Sequence, residues 1–279
     1  MAKTSPVFEK GFGKTSRRDA WWVQGAATAF VLTLFIVYAT WAAFQNAFYW
    51  HDNYLSPFYS PEIFGESPHS WFGAKPIWWP AILPFSPALI ILPFPALFRF
   101  TCYYYRGAYY KAMWADPPAC GVGEPRKGYT GEHGWPLLIQ NVHRYFLYAA
   151  LFLILFLWHD AWKSFWFADA PMQNYSPRGQ NPFPDVPVHF GIGVGSLVLL
   201  LNTTLLTFYT ISCHSLRHII GGRRNNLSES PRRLACYTCV SGLNKKHMRF
   251  AWFSLFGVML ADLYVRMVSM GIWQDFRLL

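Results

Sequence analysis

Five long stretches of this sequence carry no Asp, Glu, Lys or Arg, and they limit the fold more than any motif does. They run from Trp21 to Trp50, Pro76 to Phe98, Tyr145 to Trp158, Val186 up to Arg217, and Phe250 to Ala261. A helix that crosses about 30 Å of hydrocarbon needs roughly 20 mostly apolar residues. The first, second and fourth stretches reach that length directly. The third does so once His143 and Arg144 snorkel at one end, and the fifth once Asp262 and Arg266 lie inside it. The expected fold is all-α, an integral membrane bundle of about five transmembrane helices over residues 21–279, behind an arm of residues 1–20. Only 14% of the 279 residues are charged, against about 25% in a soluble domain. The first stretch is too long for the core of a cleavable signal peptide and lacks its small-residue cleavage site.

The basic residues orient the bundle. With the N-terminus inside, 19 of the 24 Lys and Arg fall on the cytoplasmic face. They sit in the arm (Lys3, Lys10, Lys14, Arg17, Arg18), in and around the inner loop 99–136, and in and around the inner loop 217–247. The positive-inside rule then gives an N-in, C-out, multi-pass protein of the plasma membrane. The net charge of +10 follows from this sorting and calls for no nucleic acid. Aromatic groups such as Phe48-Tyr49-Trp50 and Trp78-Trp79 flank spans instead of interleaving with Lys and Arg. They read as interfacial belts, and a nucleic-acid stacking surface is disfavoured. Residues 51–75 and 167–187, rich in Pro, Asn, Ser and aromatics, become the external loops.

Three spans have marked chemistry. The second holds six prolines between Pro76 and Pro95, each removing a backbone donor, so it must be kinked. The fourth opens with Gly191, Gly193 and Gly195, which allow close helix contact. Its middle carries the polar residues Asn202, Thr203, Thr204 and Thr207, which back-bond most readily to their own helix. The fifth places Asp262 and Arg266 one turn apart, the spacing of a structural ion pair.

The inner face gathers potential metal ligands. Cys213, His214 and His218 end the fourth span, Cys236 and Cys239 form a CxxC, and His247 opens the fifth span. His143 opens the third span, and Cys102 and Cys120 flank the loop before it. Five irregularly spaced cysteines do not form a disulfide framework in a reducing compartment. His214 and His218 share a helix face, and a CxxC can grip one metal ion. Two thiolates and two imidazoles suit a structural zinc or a Rieske-type [2Fe–2S] centre, and two histidines from separate helices suit a haem. The plainer reading has the histidines capping carbonyls and the cysteines buried as hydrophobes.

Several stretches in combination resemble one family. They are Cys102-Tyr-Tyr-Tyr-Arg106, Asp116-Pro-Pro-Ala-Cys120, Gln140-Asn-Val-His-Arg-Tyr145, Ser212-Cys-His-Ser-Leu-Arg-His218 with Gly221-Gly222, and Leu243-Asn-Lys-Lys-His-Met248. From about residue 20 onward the chain resembles the membrane-anchor subunit of actinobacterial succinate dehydrogenase, the type with a single five-helix anchor. The resemblance implies a flavoprotein and an iron–sulfur subunit as partners. It also implies delivery of electrons to a quinone, menaquinone or ubiquinone, and a Rieske-type [2Fe–2S] cluster in place of haem. Four ligands would then come from Cys120, Cys213, His214, His218, Cys236, Cys239 and His247, with His143 and Arg144 as candidates for the quinone contact. Two alternatives remain. One is a di-haem cytochrome b-type anchor. The other is a small-molecule transporter, against which the lack of a visible internal repeat counts.

Overall fold

The computed structural model describes residues 11–125, 135, 137–169, 187–222 and 225–279. Lys3, Lys10, Arg126, Lys127, Arg223 and Arg224, used above to orient the chain, lie outside these residues, as does most of the external stretch 167–187. The chain divides into two compact units. One joins the described residues up to Val37 with those from Arg99 to His143, and the other joins Tyr38–Phe98 with Arg144–Leu279.

Four described helices are long and apolar enough to cross a membrane. They are α1 (Trp22–Gln45), α5 (His143–Lys163), α6 (Val194–Ile211) and α9 (His247–Ser269). The second stretch differs from its expectation of one kinked helix. It holds only α2 (Pro87–Ile91) and α3 (Pro93–Phe100), with residues 76–86 outside any helix. The prolines explain the break. Pro87 and Pro93 each sit at a helix start, where a missing N–H costs nothing. Pro93 also lacks the N–H that would bond back to Leu89 O, so the ladder breaks between α2 and α3 although Leu92 itself stays in the α region at φ −60° and ψ −28°. The two loops expected on the inner face are themselves partly helical, with α4 (Tyr103–Met113), α7 (His214–Gly221) and α8 (Pro231–Asn244).

The first unit is tied by backbone. Gly13 N donates to Gly123 O at 3.0 Å, Gly123 N donates to Lys14 O at 2.8 Å, and Arg17 Nη1 donates to Cys120 O at 2.8 Å. A Cβ on Gly123 would collide with Gly11 O, so this close strand-like approach needs glycine. Phe100 stacks on Tyr109 at 5.5 Å, and Gln140 Nε2 donates to both Tyr109 Oη and Phe100 O.

In the second unit α6 packs along α9, and the stretch after α1 is drawn into the interior. Helix α1 stops where Asn46 and Phe48 take positive φ, 47° and 57°, a conformation that cannot continue a right-handed helix. A two-stranded hairpin follows, β1 (Trp50–His51) with β2 (Tyr54–Leu55). Residues 53–62 are then buried almost throughout, unlike the external loop the composition suggests. Buried polar groups must find partners, and these do so at long range. Ser60 Oγ donates to Asp160, Asn53 Nδ2 donates to Ser164 O at 2.6 Å, and Glu62, 0% exposed, accepts from Tyr49 Oη at 2.8 Å and from Ser67.

His69, which donates from Nε2 to Asp52 O at 2.8 Å, supplies a pH prediction. Burial foremost, and then the charge of Lys163, lower its pKa from 6.5 to about 4. The native state therefore refuses a proton that the unfolded chain accepts below pH 6.5. The contribution is full above 6.5 and is lost as the pH falls through 4, by roughly 1.4 kcal/mol per pH unit at most. Glu62, raised by burial, slopes the other way, and Asp160 and His159 also face this cluster. The difference between native and His69→Gln unfolding midpoints from pH 4 to 7 isolates the histidine. A constant difference across that range would remove it as the source.

Candidate functional site

The Cys/His constellation is built on a break that local pattern does not announce. Helix α6 ends at Ile211, and Cys213, extended at φ −64° and ψ 140°, caps the separate helix α7. The fourth span therefore ends before the motif that the sequence places on it. Cys213 is 1% exposed. His214 and His218 face outward on α7, with Nε2 atoms 2.8 Å apart. Two imidazole nitrogens at that distance share one proton. Burial, then His218 and Arg217, lower the pKa of His214.

Helix α7 is clasped to α8. Arg217 Nε donates to Ser241 Oγ at 3.0 Å and its guanidinium lies 5.0 Å from the Tyr237 ring centre. Arg233 donates to Ile220 O and, at 2.6 Å, to Gly222 O, satisfying carbonyls left open at a helix end. Gly221 makes room for Tyr237, since a Cβ would lie 2.8 Å from its ring. Cys236 and Cys239 are exposed on α8, one turn apart on a helix rather than in the expected loop.

His247, at the head of α9, is buried. Its Nδ1 lies 2.8 Å from Ser212 Oγ, and its ring stacks on Tyr209 at 5.2 Å. Asn244 Nδ2 donates to Ser212 O at 2.8 Å, so Ser212 joins three elements at the break. His143, the first residue of α5, is buried with Nδ1 2.8 Å from Thr101 Oγ1, and Arg144 is exposed. Cys120 is exposed in the first unit, whereas the other six ligand candidates belong to the second.

A Rieske-type cluster needs two Cys and two His around two irons. Among the described residues no three His, Cys, Asp or Glu are grouped to hold one metal ion. Within the second unit His214 and His218 meet, and Cys213, Cys236, Cys239 and His247 do not join them as a group. As placed, these residues do not form the ligand set.

A fully buried ion pair lies elsewhere. Arg266 and Asp262 are both 0% exposed, with Arg266 Nε donating to Asp262 Oδ2 at 2.7 Å. Tyr38 Oη donates to the same carboxylate at 2.6 Å, and so does Ser56. The remaining guanidinium donors reach Ala47 O at 2.8 Å, Ala42 O at 3.1 Å and Gln45 Oε1 at 3.1 Å. The spacing in α9 announces the pair, but no local signal announces its partners near residues 38–56. Along α6, Thr204 and Thr207 back-bond to Leu200 O and Thr203 O at 2.8 Å, while Thr203 turns to Leu157 O on α5 at 3.4 Å.

Spanning helices with exposed apolar faces, a fully buried ion pair and titratable groups at one helix break define a multi-pass membrane subunit. The chain belongs to the actinobacterial succinate dehydrogenase subunit SdhC family, which it matches over residues 23–271. It is also similar to a chain of the Mycobacterium smegmatis Sdh1 complex in the apo form. The two are 42% identical with a TM-score of 0.80, over 99% of this chain and 98% of that one. No curated protein matches it.

Proposed function

We propose that this chain is the membrane anchor of a succinate:quinone oxidoreductase. It fastens a flavoprotein and an iron–sulfur subunit to the membrane, and electrons from succinate reach quinone at its surface. The observation that carries this reading is the similarity along the whole chain to a subunit of the Sdh1 complex, joined to the family match. The N-in, C-out orientation belongs to the same reading and puts α7, α8 and the head of α9 on the side of the soluble subunits. His143 and Arg144 are the candidates for contact with the quinone headgroup.

The decisive test separates two electron acceptors. Flavoprotein and iron–sulfur subunits isolated without this chain should still reduce an artificial dye with succinate, while losing quinone reduction and membrane attachment. Quinone reduction at the rate of the complete complex, without this chain, would refute the proposal.

The resemblance carries a Rieske-type centre with it, although among the described residues its candidate ligands are not gathered into one group. Haem is the sharper case. His214 and His218 lie on one helix with facing nitrogens and cannot approach an iron from opposite sides. A haem would instead need a histidine from each of two helices, and with a Rieske-type centre in its place the purified complex should show no Soret band stoichiometric with this chain. One bis-histidine haem per chain would establish the cytochrome alternative.

A further inference from the structure

A cavity of about 360 Å³ opens just past the last turn of α9, within the range of roughly 300–1,000 Å³ typical of small-ligand sites. Val268 of that turn forms one wall, and the tail after it, including Trp273 and Arg277, forms another. The β1–β2 turn at Asp52 and the Phe167 ring complete it. Helix α9 ends at Ser269, so the cavity sits where an apolar span gives way to water, whichever way the chain is inserted. Lipid headgroups occupy that level, and aromatic side chains gather there. Tyr264 and Trp273 pair at 5.8 Å, and Ile272 and Phe276, 62% and 67% exposed, give the tail an apolar surface suited to acyl chains.

The lining carries both signs of charge. Arg277 is held by the backbone on either side of it, since Val194 N donates to Phe276 O at 3.0 Å and Leu278 N donates to Ile192 O at 2.7 Å. Its guanidinium lies 4.2 Å from the Phe167 ring centre, and among the described residues no carboxylate pairs with it. Asp275 is committed to the fold through Tyr54 Oη at 2.6 Å, Tyr264 Oη at 2.7 Å and Gly195 N at 3.0 Å. Asp52, whose side chain is 38% exposed, has His51 Nε2 at 3.7 Å.

We propose that this cavity binds the zwitterionic headgroup of a phosphoethanolamine lipid, with the phosphate on Arg277 and the ammonium on Asp52. Guanidinium is the side chain best matched to phosphate oxygens. Two carboxylates in the wall repel a purely anionic headgroup. A choline group has no N–H to donate to Asp52, and its quaternary ammonium favours an aromatic cage, whereas Phe167 is already covered by Arg277.

The test uses the intact complex, delipidated in detergent and studied by native mass spectrometry. The probes are dioleoyl phosphatidylethanolamine, dioleoyl phosphatidylglycerol and soluble phosphoethanolamine. One phosphatidylethanolamine should bind per site in preference to phosphatidylglycerol, and soluble phosphoethanolamine should not compete with it at equal concentration. Arg277→Gln should weaken that binding at least tenfold, and Asp52→Asn should abolish the preference over phosphatidylglycerol. Undiminished binding in Arg277→Gln, or equal binding of the two lipids to the native complex, overturns the proposal. So does competition by the soluble headgroup, which would make the cavity a site for a water-soluble ligand. Should Arg277→Gln fail to assemble, the lipid preference of Asp52→Asn decides alone. None of these readouts depends on succinate or quinone turnover, so they stand apart from the anchor reading.

Discussion

Asp262→Asn is expected to cost the folded chain about 3–5 kcal/mol, because it strands a buried cation. The substitution keeps the shape of the side chain and removes its charge. Arg266, 0% exposed, would keep its contacts to Ala42 O, Ala47 O and Gln45 but lose its only buried counter-ion among the described residues. Charge at membrane depth is tolerated when paired and becomes costly when it is not. Asp275→Asn is the control. That carboxylate also accepts three hydrogen bonds, so its loss is not negligible. Among the described residues no buried cation depends on it, however, and about 1–3 kcal/mol is expected. Recovery of assembled complex in mild detergent, and its thermal midpoint, rank the two. Replacing the pair together, as Asp262→Leu with Arg266→Met, should recover much of the loss. Equal, small effects of the two Asn variants would mean that water reaches the pair.

Gly193→Ala is expected to destabilise by about 1–3 kcal/mol, the usual cost of forcing a methyl group into a filled space. Its Cβ would overlap both Tyr54 Oη and Asp275 Oδ2, two atoms already hydrogen-bonded to each other at 2.6 Å. The Tyr54 hydroxyl is therefore both a stabilising donor and the obstacle. Tyr54→Phe alone should destabilise through the lost bond. In the Gly193→Ala background the same change removes one of the two clashes, and should cost less or even restore stability. A double-mutant cycle on thermal midpoints measures this coupling. Simple additivity would show that the methyl group is accommodated by a backbone shift instead.

The spans were legible because membrane crossing is a matter of length and charge. Helices α1 and α6 follow from uncharged stretches, and α5 and α9 from admitting His143, Arg144, Asp262 and Arg266 into them. The prolines of the second stretch announced a kink, but not a break that leaves only α2 and α3. What was hidden is non-local. Ser56, Ser60 and Glu62 look like external-loop residues, and their burial rests on Asp262, Asp160 and Tyr49, chosen by packing. Gly191 and Gly193 read as helix-contact glycines, yet what they admit is the Phe167 ring, the tail at Leu279 and the Tyr54–Asp275 bond. In the Cys/His segment, i,i+4 spacing was enough to bring His214 and His218 together. The turn at Ser212 and Cys213 that separates α7 from α6 has no comparable signature, and it decides which way those histidines face.

The lock around Arg266 also bears on the order in which the protein is made. Its guanidinium and the Asp262 carboxylate are closed by Tyr38, Ala42, Gln45, Ala47 and Ser56, all more than 200 residues earlier in the chain. A ribosome delivers that early segment long before α9 exists. Joining ends so far apart carries a large loop-closure cost, repaid only when the last contacts form. Until then Ser56 lacks its acid, and the carbonyls of Ala42 and Ala47 lack their cation. A nascent chain that has not yet inserted α9 therefore cannot complete the region between α1 and α2. Completion of this half of the protein becomes a report that synthesis has reached the final helix.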